Sequence, residues 1–363
     1  MTEVFHWHPS AQAVGEAGDL RAALANPGQP FRFGGAGPLP SQAGMFETLT
    51  SGSSGQPRCI LRTMASWTAS FAVNAGLFGI GPGVQVAVLG DLQQSLALYG
   101  AVEALHLGAT LHLLGGRRPD RQRLALSRVQ ILYATPAQLR QLVDVAGPDL
   151  PNLRLVLVGG SKLDSKLRHD LRQITGADIR EFYGAAEASF ITLAGPATDP
   201  ASVGAAYPEV ELSLRQGTVW LRSPYLFTRY GDGLPGSAIW DKDWLSVGEM
   251  GRIEGGLLYL SGRAGRMVTV ADQNVFPEEM EAIMAGYTGV RHVAVLPRAD
   301  GLRGSVMVAV ILGDRSQEAS ILHLARKEFG ALKAPRSVVW VDTWPVLPSG
   351  KSDLAALSQM VAL

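Results

Sequence analysis

Several features that would narrow the function are scarce in this chain of 363 residues. Cys59 is its single cysteine, so an internal disulfide framework is excluded and a reducing compartment is favoured. The 32 basic and 32 acidic residues cancel, so no net field would draw the protein to nucleic acid or to an anionic membrane. Any binding site for an anion must therefore be local.

Long apolar runs are also missing. The most apolar stretch, residues 96–114, is interrupted by Glu103, His106 and glycines, whereas a membrane-spanning helix needs about 20 predominantly apolar residues. The opening residues, MTEVFHWHPSAQ, lack the basic and then apolar pattern of a secretory signal. We therefore expect a cytoplasmic protein without a membrane span.

The composition is that of a globular protein, since 47% of the residues are hydrophobic and 18% are charged. Short valine- and leucine-rich runs alternate with helical patterns, which predicts parallel strands joined by helices; these runs are residues 84–90, 109–115, 129–136 and 153–160. From about Val203 the pattern changes to alternating strands broken at Gln216 and Gly217, which is typical of antiparallel hairpins. After Arg263 a mixture of short helices and strands predicts a small α+β domain.

The stretch TSGSSGQPR, residues 50–58, is dense in glycines and hydroxyls. Glycines permit close ligand approach, and hydroxyls with free amides offer a ring of hydrogen-bond donors that suits phosphate oxygens. A flexible Gly/Ser linker is the alternative interpretation. Arg58, which follows Pro57, argues against the linker.

Four further motifs follow this loop in order: EFYGAAE (181–187), VGEMGRI (247–253), GRAGRMV (262–268) and PSGK (348–351). Together with the loop, they resemble the motifs of the AMP-forming acyl-CoA synthetase and adenylation-domain superfamily. The resemblance covers most of the chain and identifies it as a compact member, shortened at its front. It implies an α/β fold with a large N-terminal domain (residues 1–264), built from a parallel sheet and an antiparallel subdomain, and a small mobile C-terminal α+β domain (residues 265–363).

The resemblance also implies roles for individual residues. The β- and γ-phosphates of ATP would be held by Thr50, Ser51, Gly52, Ser53, Ser54, Gly55 and Arg58. Glu187 would hold Mg²⁺, and Tyr183 would stack on adenine within the motif that also contains Gly184, Ala185 and Ala186. The opposite wall of the adenine site would be Gly159, Gly160 and Ser161.

Three residues would complete the catalytic arrangement. Glu249 and Arg263 would meet the ribose hydroxyls, and Lys351 would bridge the substrate carboxylate and the α-phosphate. Gly265 would be the hinge. The implied reaction is ATP-dependent formation of an acyl-adenylate with release of pyrophosphate, followed by transfer of the acyl group to CoA.

The acid itself is expected to bind beside Ser95, Tyr99, Ala188 and Ser189. None of these positions carries a cation, and an unpaired buried charge is costly, so an apolar acid, aliphatic or aromatic, is favoured.

Departures from the family pattern leave alternatives open. Ala271 and Asp272 replace glycines that usually precede the segment NVFP, so a carrier-protein phosphopantetheine is an alternative acceptor to free CoA. Ala186 stands where threonine is usual, and Glu249 where aspartate is usual; these changes favour a degenerate, non-catalytic nucleotide-binding relative as a third reading. The short front leaves open a homodimer in which a partner subunit supplies a pocket wall.

One basic cluster lies outside these motifs. It comprises Arg117, Arg118, Arg121 and Arg123. We interpret it as a solvated surface, with a site for the CoA 3′-phosphate as the functional alternative, because arginine suits phosphate. Nucleic acid is not expected, because no aromatic residues interleave the arginines.

Overall fold

The computed structural model describes residues 3–49, 58–231, 236, 238–270, 273–301, 304–347 and 351–361. The α-helices within these residues are α1 (Gly18–Ala25), α2 (Ala65–Phe78), α3 (Ser95–His106), α4 (Pro119–Ala125), α5 (Pro136–Val143), α6 (Ser165–Ile174), α7 (Pro277–Ala285), α8 (Glu318–Lys333) and α9 (Leu354–Val361).

The strands of the first half are β1 (Gln12–Val14), β2 (Met45–Leu49), β3 (Cys59–Thr63), β4 (Gln85–Val88), β5 (Thr110–Leu113), β6 (Ile131–Ala134), β7 (Leu155–Val158), β8 (Asp178–Ala185), β9 (Ser189–Leu193), β10 (Gly204–Ala206) and β11 (Glu211–Arg215). Those of the second half are β12 (Thr218–Arg222), β13 (Arg229–Tyr230), β14 (Ile239–Asp241), β15 (Trp244–Ser246), β16 (Glu249–Glu254), β17 (Leu257–Arg263), β18 (Val268–Val270), β19 (Gln273–Val275), β20 (Val290–Asp300), β21 (Gly304–Gly313) and β22 (Ser337–Trp340).

The main sheet runs in the order β1-β5-β4-β6-β7-β8-β9-β10-β17-β16-β12-β15-β14, and β11 pairs with β12. Its first part is parallel, from β1 to β8. Strand β6 and strand β7 are buried along their whole length, because helices cover both faces of a parallel sheet and such strands read as continuous apolar runs.

Strand β8 is where the sheet changes direction. Its residues 178–181 pair in parallel with β7, and its residues 182–185 pair antiparallel with β9. All later pairings of this sheet are antiparallel. The residues that follow this change therefore lie just beyond the carboxyl ends of the parallel strands. Open α/β sheets bind their ligands at these ends.

The residues before β2 pack onto the same core. Phe5 is fully buried and contacts Phe46 and Phe71, with ring centroids 5.0 Å and 5.8 Å away. Strand β1 adds to the sheet beside β5. Edge-to-face and offset aromatic contacts of this kind contribute free energy to a core in addition to that of the apolar area they bury.

The small C-terminal unit is built around β20, β21 and β22. Strands β20 and β21 form a long antiparallel pair, and β22 joins β21 in parallel. One face of this sheet shares a core with Met280 and Met284 of α7. The predicted α/β fold, with a large sheet domain and a small C-terminal domain, is confirmed; the boundary between residues 264 and 265 stays a prediction.

No helix in the described ranges combines the length and the apolar character that a membrane crossing requires.

Candidate active site

A cleft lies at the carboxyl edge of the parallel strands and reaches the C-terminal unit. It is lined by residues from all five sequence motifs and from their surroundings, among them Arg58, Gly160, Ser161, Tyr183, Gly184, Ala185, Ala186, Glu187, Glu249, Arg263 and Lys351. Motifs that are far apart in the sequence therefore meet in one place. The loop residues Thr50, Ser51, Gly52, Ser53, Ser54 and Gly55 lie outside the described residues, as do Ala271 and Asp272.

Arg58, which follows the glycine-rich loop, packs on Tyr230. Its guanidinium carbon lies 4.0 Å from the centroid of the tyrosine ring, which is the geometry of a cation–π contact. Strand β13 places the tyrosine there, because Tyr230 pairs with Ile60 of β3. The cation expected to meet phosphate thus has a fixed aromatic support.

Glu187 follows the end of β8 and is held at two points. Tyr230 donates a hydrogen bond from its hydroxyl to Glu187 Oε1 at 3.0 Å. The backbone nitrogen of Phe227 donates to the Glu187 carbonyl at 2.7 Å. Side chain and backbone are therefore both fixed.

A metal site at Glu187 fits the chemistry of the donor set. The described residues hold no cluster of three or more histidines, cysteines or carboxylates suited to a metal ion. Mg²⁺ does not need such a cluster, because it is usually bound through one or two carboxylates together with substrate phosphates and water. Glu187 suits that mode of binding.

Tyr183 lines the cleft with a buried hydroxyl that has no hydrogen-bond partner among the described residues. Burial, reinforced by the charge of Glu249, raises the pKa of Tyr183 well above its usual value, so the phenol is neutral. Gly160, which also lines the cleft, has φ +96°, a left-handed conformation that favours glycine. Gly159 instead allows close packing, because a Cβ there would lie 2.3 Å from the ring of Phe182.

Glu249 and Arg263 form an ion pair across the hairpin of β16 and β17. Their register places them directly opposite each other, and Arg263 Nε lies 3.0 Å from Glu249 Oε1. Burial lowers the pKa of Arg263, but the charge and hydrogen bond of Glu249 outweigh it and leave the pKa above its usual value. The arginine therefore stays charged and fixes one carboxylate oxygen.

Lys351 comes from the C-terminal unit but lies among charges of the N-terminal domain. Burial, with the nearby Arg263, lowers the pKa of Lys351, while Glu187 and Glu249 partly restore it. The backbone nitrogen of Leu347 donates a hydrogen bond to the Lys351 carbonyl at 2.8 Å, which fixes the backbone of the lysine. Residues as far apart in the sequence as Arg58 and Lys351 thus line one cleft.

The expected acid pocket is only partly as the sequence suggests. Ser95, Tyr99 and Ser189 line the cleft, whereas Ala188 is fully buried in the core and does not line it. Two aromatic residues that the sequence analysis missed, Trp67 and Phe190, line the cleft as well. Their rings meet the ring of Tyr99 edge to face, at 5.0 Å and 5.4 Å.

Three polar residues near the cleft were also missed. Tyr230 contacts Glu187, Arg62 lies fully buried on β3, and Glu103 lies fully buried on α3. The available signal was a charged residue inside an apolar run, such as Arg62 within CILRT. That signal does not distinguish burial from exposure.

The basic cluster outside the motifs divides into two parts. The side chains of Arg118 and Arg121 are mostly exposed, at 83% and 71%. Arg123 contradicts the interpretation as a solvated surface, because it is buried and donates hydrogen bonds to the carbonyls of Leu142, Val145 and Pro148. Buried carbonyls without partners are costly, so this arginine stabilises a loop.

Comparison with known sequences gives two family matches. Residues 37–230 match the family described as AMP-binding enzyme, and residues 279–351 match its C-terminal domain. The chain is 30% identical over 337 residues to an uncharacterized acyl–CoA ligase, YhfT, of Bacillus subtilis, covering 87% of this chain and 69% of the relative. It is 26% identical to the indoleacetate–CoA ligase of Aromatoleum aromaticum, covering 91% of this chain and 71% of the relative.

Comparison with solved structures agrees at the level of the fold. The amide bond synthetase McbA from Marinactinospora thermotolerans matches with a TM-score of 0.77 and 24% identity, over 96% of this chain and 79% of the other. The o-succinylbenzoate CoA synthetase MenE from Bacillus subtilis, solved with ATP and magnesium ion, matches with a TM-score of 0.75 and 20% identity, over 86% and 69%. With both domains matched in order and the motif residues gathered in one cleft, the chain belongs to the AMP-binding enzyme family.

Proposed function

We propose that the protein is an AMP-forming acid:CoA ligase, which activates a carboxylic acid as an acyl-adenylate and then transfers the acyl group to CoA. The main observation in support is that Lys351 of the C-terminal unit shares a cleft with Glu187, Glu249 and Arg263 of the N-terminal domain. The relatedness to acyl–CoA ligases supports the same reaction.

The first step joins two anions. A carboxylate oxygen attacks the α-phosphorus of ATP, a new P–O bond forms, and the bond to pyrophosphate breaks. Two unit charges about 4 Å apart repel by roughly 4 kcal/mol at an effective dielectric near 20. Positioned cations offset this repulsion most strongly as charge builds up in the transition state.

Two cations of the cleft suit this task. Lys351 would bridge the acid and the α-phosphate, and Arg58 would hold the terminal phosphates together with the glycine-rich loop. Glu187 would hold Mg²⁺, whose positive charge would offset the negative charge of the triphosphate. Glu249, oriented by Arg263 at 3.0 Å, would accept hydrogen bonds from the ribose hydroxyls.

The second step transfers the acyl group. The thiolate of CoA attacks the acyl carbon, and AMP leaves with the electrons of the acyl–phosphate bond. We propose that the C-terminal domain rotates about Gly265 between the steps. In support, Gly265 lies in the short turn of residues 264–266 directly after Arg263, and a Cβ there would have no neighbour within 4 Å.

The acid is proposed to be apolar, either aliphatic or aromatic. The end of the cleft beside Ser95 and Ser189 is bounded by the rings of Trp67, Tyr99 and Phe190. Such a surface favours apolar groups, which gain free energy by leaving water.

A cytoplasmic location and a homodimer are parts of the same proposal. The single cysteine supports the location. Light scattering of the purified protein would test the subunit number.

Pyrophosphate release with ATP, Mg²⁺ and a panel of carboxylic acids tests the function. We expect release to depend on one class of apolar acid, and addition of CoA to yield a thioester. A holo-carrier protein in place of CoA tests the alternative acceptor. ATP binding without release across a broad panel would contradict the proposal and favour the non-catalytic reading.

A further inference from the structure

Arg62 on β3 is a cation buried beside the cleft, and the proposed reaction assigns it no role. Its side chain is completely buried and ranks among the largest fully buried side chains. Burial lowers the pKa of Arg62 to about 9, although Glu187 and Tyr99 oppose this effect. The guanidinium is therefore charged at neutral pH, and a buried charge is costly unless it is paired and hydrogen-bonded.

The acceptors of Arg62 belong to the turn that carries Glu187 and to the segment packed against that turn. Arg62 Nη1 donates to the Ala186 carbonyl at 2.6 Å. Its Nη2 donates to the Ser189 hydroxyl at 2.8 Å and also to the Tyr225 carbonyl. Hydrogen bonds from a charged donor are about twice as strong as neutral ones.

These contacts hold both ends of the turn. Ala186 directly precedes Glu187, and Ser189 follows it at a left-handed φ of +57°, a conformation that is uncommon for residues other than glycine. A hydrogen bond from the Ala188 nitrogen to the Ala185 carbonyl at 3.0 Å closes the turn between them.

The third acceptor of Arg62, the Tyr225 carbonyl, lies in the segment that leads to β13. Tyr225 lies just before Phe227, whose backbone nitrogen donates to the Glu187 carbonyl at 2.7 Å. Arg62 therefore ties β3, the Glu187 turn and the approach to β13 together. The turn cannot shift relative to β3 without loss of a charged hydrogen bond.

The acid pocket shares this support. Ser189 lines the cleft, and the guanidinium carbon of Arg62 lies 5.8 Å from the ring centroid of Trp67, which lines it too. Arg62 itself is completely buried. It therefore acts on the site through its neighbours rather than by contact with a substrate.

We propose that Arg62 is a positioning residue that sets the Glu187 carboxylate for Mg²⁺ bound to ATP, together with the Ser189 wall of the acid pocket. This inference rests on the proposed function. It goes beyond it by naming what holds the metal-binding carboxylate in place.

The chain offers a matched control in Arg123. That arginine is likewise buried and donates to the backbone carbonyls of Leu142, Val145 and Pro148. It does not line the cleft. Loss of Arg123 should therefore lower thermal stability without altering the use of Mg²⁺.

The test compares wild type, Arg62→Lys, Arg62→Met and Arg123→Met by melting temperature, calorimetric ATP binding with and without Mg²⁺, and Mg²⁺ dependence of pyrophosphate release. In the wild type, Mg²⁺ should raise the affinity for ATP by some factor, and we expect this factor to be about 10-fold smaller in Arg62→Met. A change of this size is typical of the loss of a charged hydrogen bond. Arg62→Lys, which keeps the charge but not the fork of donors, should recover part of this factor. Arg123→Met should keep the wild-type gain despite a lower melting temperature.

If Arg62→Met matches Arg123→Met in Mg²⁺ dependence, the positioning role is overturned. Should the methionine variant fail to fold, Arg62→Lys decides, and an unchanged Mg²⁺ dependence in it overturns the role. ATP binding by the wild type without pyrophosphate release would overturn the proposed function alone, because the calorimetric comparison needs no acid.

Discussion

Tyr230 donates its hydroxyl to the Glu187 carboxylate at 3.0 Å. The ring of the same tyrosine supports the guanidinium of Arg58 at 4.0 Å. One side chain thus links the cation that follows the glycine-rich loop to the carboxylate proposed for the metal. The link predicts that a change at Tyr230 affects both Arg58 and Glu187, and therefore both the phosphate contact and the metal site.

Tyr230→Phe separates these two contacts, because it removes the hydroxyl and keeps the ring. We expect the Mg²⁺ concentration for half-maximal pyrophosphate release to rise about 10-fold, since a hydrogen bond to a charged group contributes roughly 1.5–3 kcal/mol. Tyr225→Phe is the control, because its hydroxyl donates to the Pro208 carbonyl. Equal Mg²⁺ curves for the two variants would contradict the link.

Lys351→Ala should remove adenylate formation and spare ATP binding. The lysine is proposed to act mainly on the charge that develops at the α-phosphate, so its loss lowers the rate more than the affinity. We expect pyrophosphate release to fall at least about 100-fold and the ATP dissociation constant to stay within about 3-fold. Lys327→Ala, on the exposed part of α8, is the control; an unchanged rate in Lys351→Ala would refute the role.

Glu249→Gln tests recognition of the ribose. We expect about 10-fold weaker ATP binding, because an amide accepts hydrogen bonds less strongly than a carboxylate. The wild type should prefer ATP to 2′-deoxyATP, and the variant should lose most of that preference. Glu254→Gln, at the far end of the same strand, should keep it; a preserved preference in Glu249→Gln would mean that the ribose lies elsewhere.

Glu103 predicts a pH dependence of stability. The carboxyl is fully buried and accepts hydrogen bonds from Tyr133 and from Asn74 at 2.8 Å. Burial raises the pKa of Glu103 from 4.5 to about 7, although the bonds from Tyr133, Asn74 and Tyr99 oppose the shift. The folded state therefore binds more protons than the unfolded state between these two values.

Stability contributed by this group is present below pH 4.5 and is lost as the pH rises to about 7, with a total of about 3 kcal/mol. Glu103→Gln cannot ionise. The unfolding free energy of the wild type minus that of the variant should therefore fall across this window and stay level outside it. Urea denaturation at several pH values measures it; a level difference throughout would contradict burial of an ionisable Glu103.

Gly265→Pro tests the hinge. Proline fixes φ and stiffens the turn, so we expect pyrophosphate release within about 3-fold of wild type and thioester formation at least about 10-fold slower. Gly265→Ala is the control, because its Cβ would meet no neighbour within 4 Å. Equal loss of both half-reactions in the proline variant would point to misfolding, and loss of neither would place the pivot elsewhere.

Much of the fold was predictable from local pattern. The valine- and leucine-rich runs identify β4, β5, β6 and β7, because strands buried on both faces need apolar side chains at every position. The apolar residues of 95–106 recur at helical spacing and identify α3, because a helix that packs against the core needs apolar side chains at that spacing. Glycines that break these patterns mark the turns.

The order of the motifs also specified most of the candidate site. Hydroxyls, glycines and a basic residue at fixed spacing indicate a phosphate site whatever the surrounding fold, because the chemistry of the anion demands them. Glu187, Glu249, Arg263 and Lys351 were named from the resemblance of their motifs to those of the family, and they share one cleft.

Long-range packing decided the rest. Tyr230 reaches Glu187 because β13 pairs with β3, and Arg62 and Arg123 are buried because distant carbonyls converge on them. Ala188 lies in the core although its neighbour Ser189 lines the cleft. Local periodicity reports which side chains prefer water, but whether a charged side chain is buried depends on partners brought to it from far along the chain.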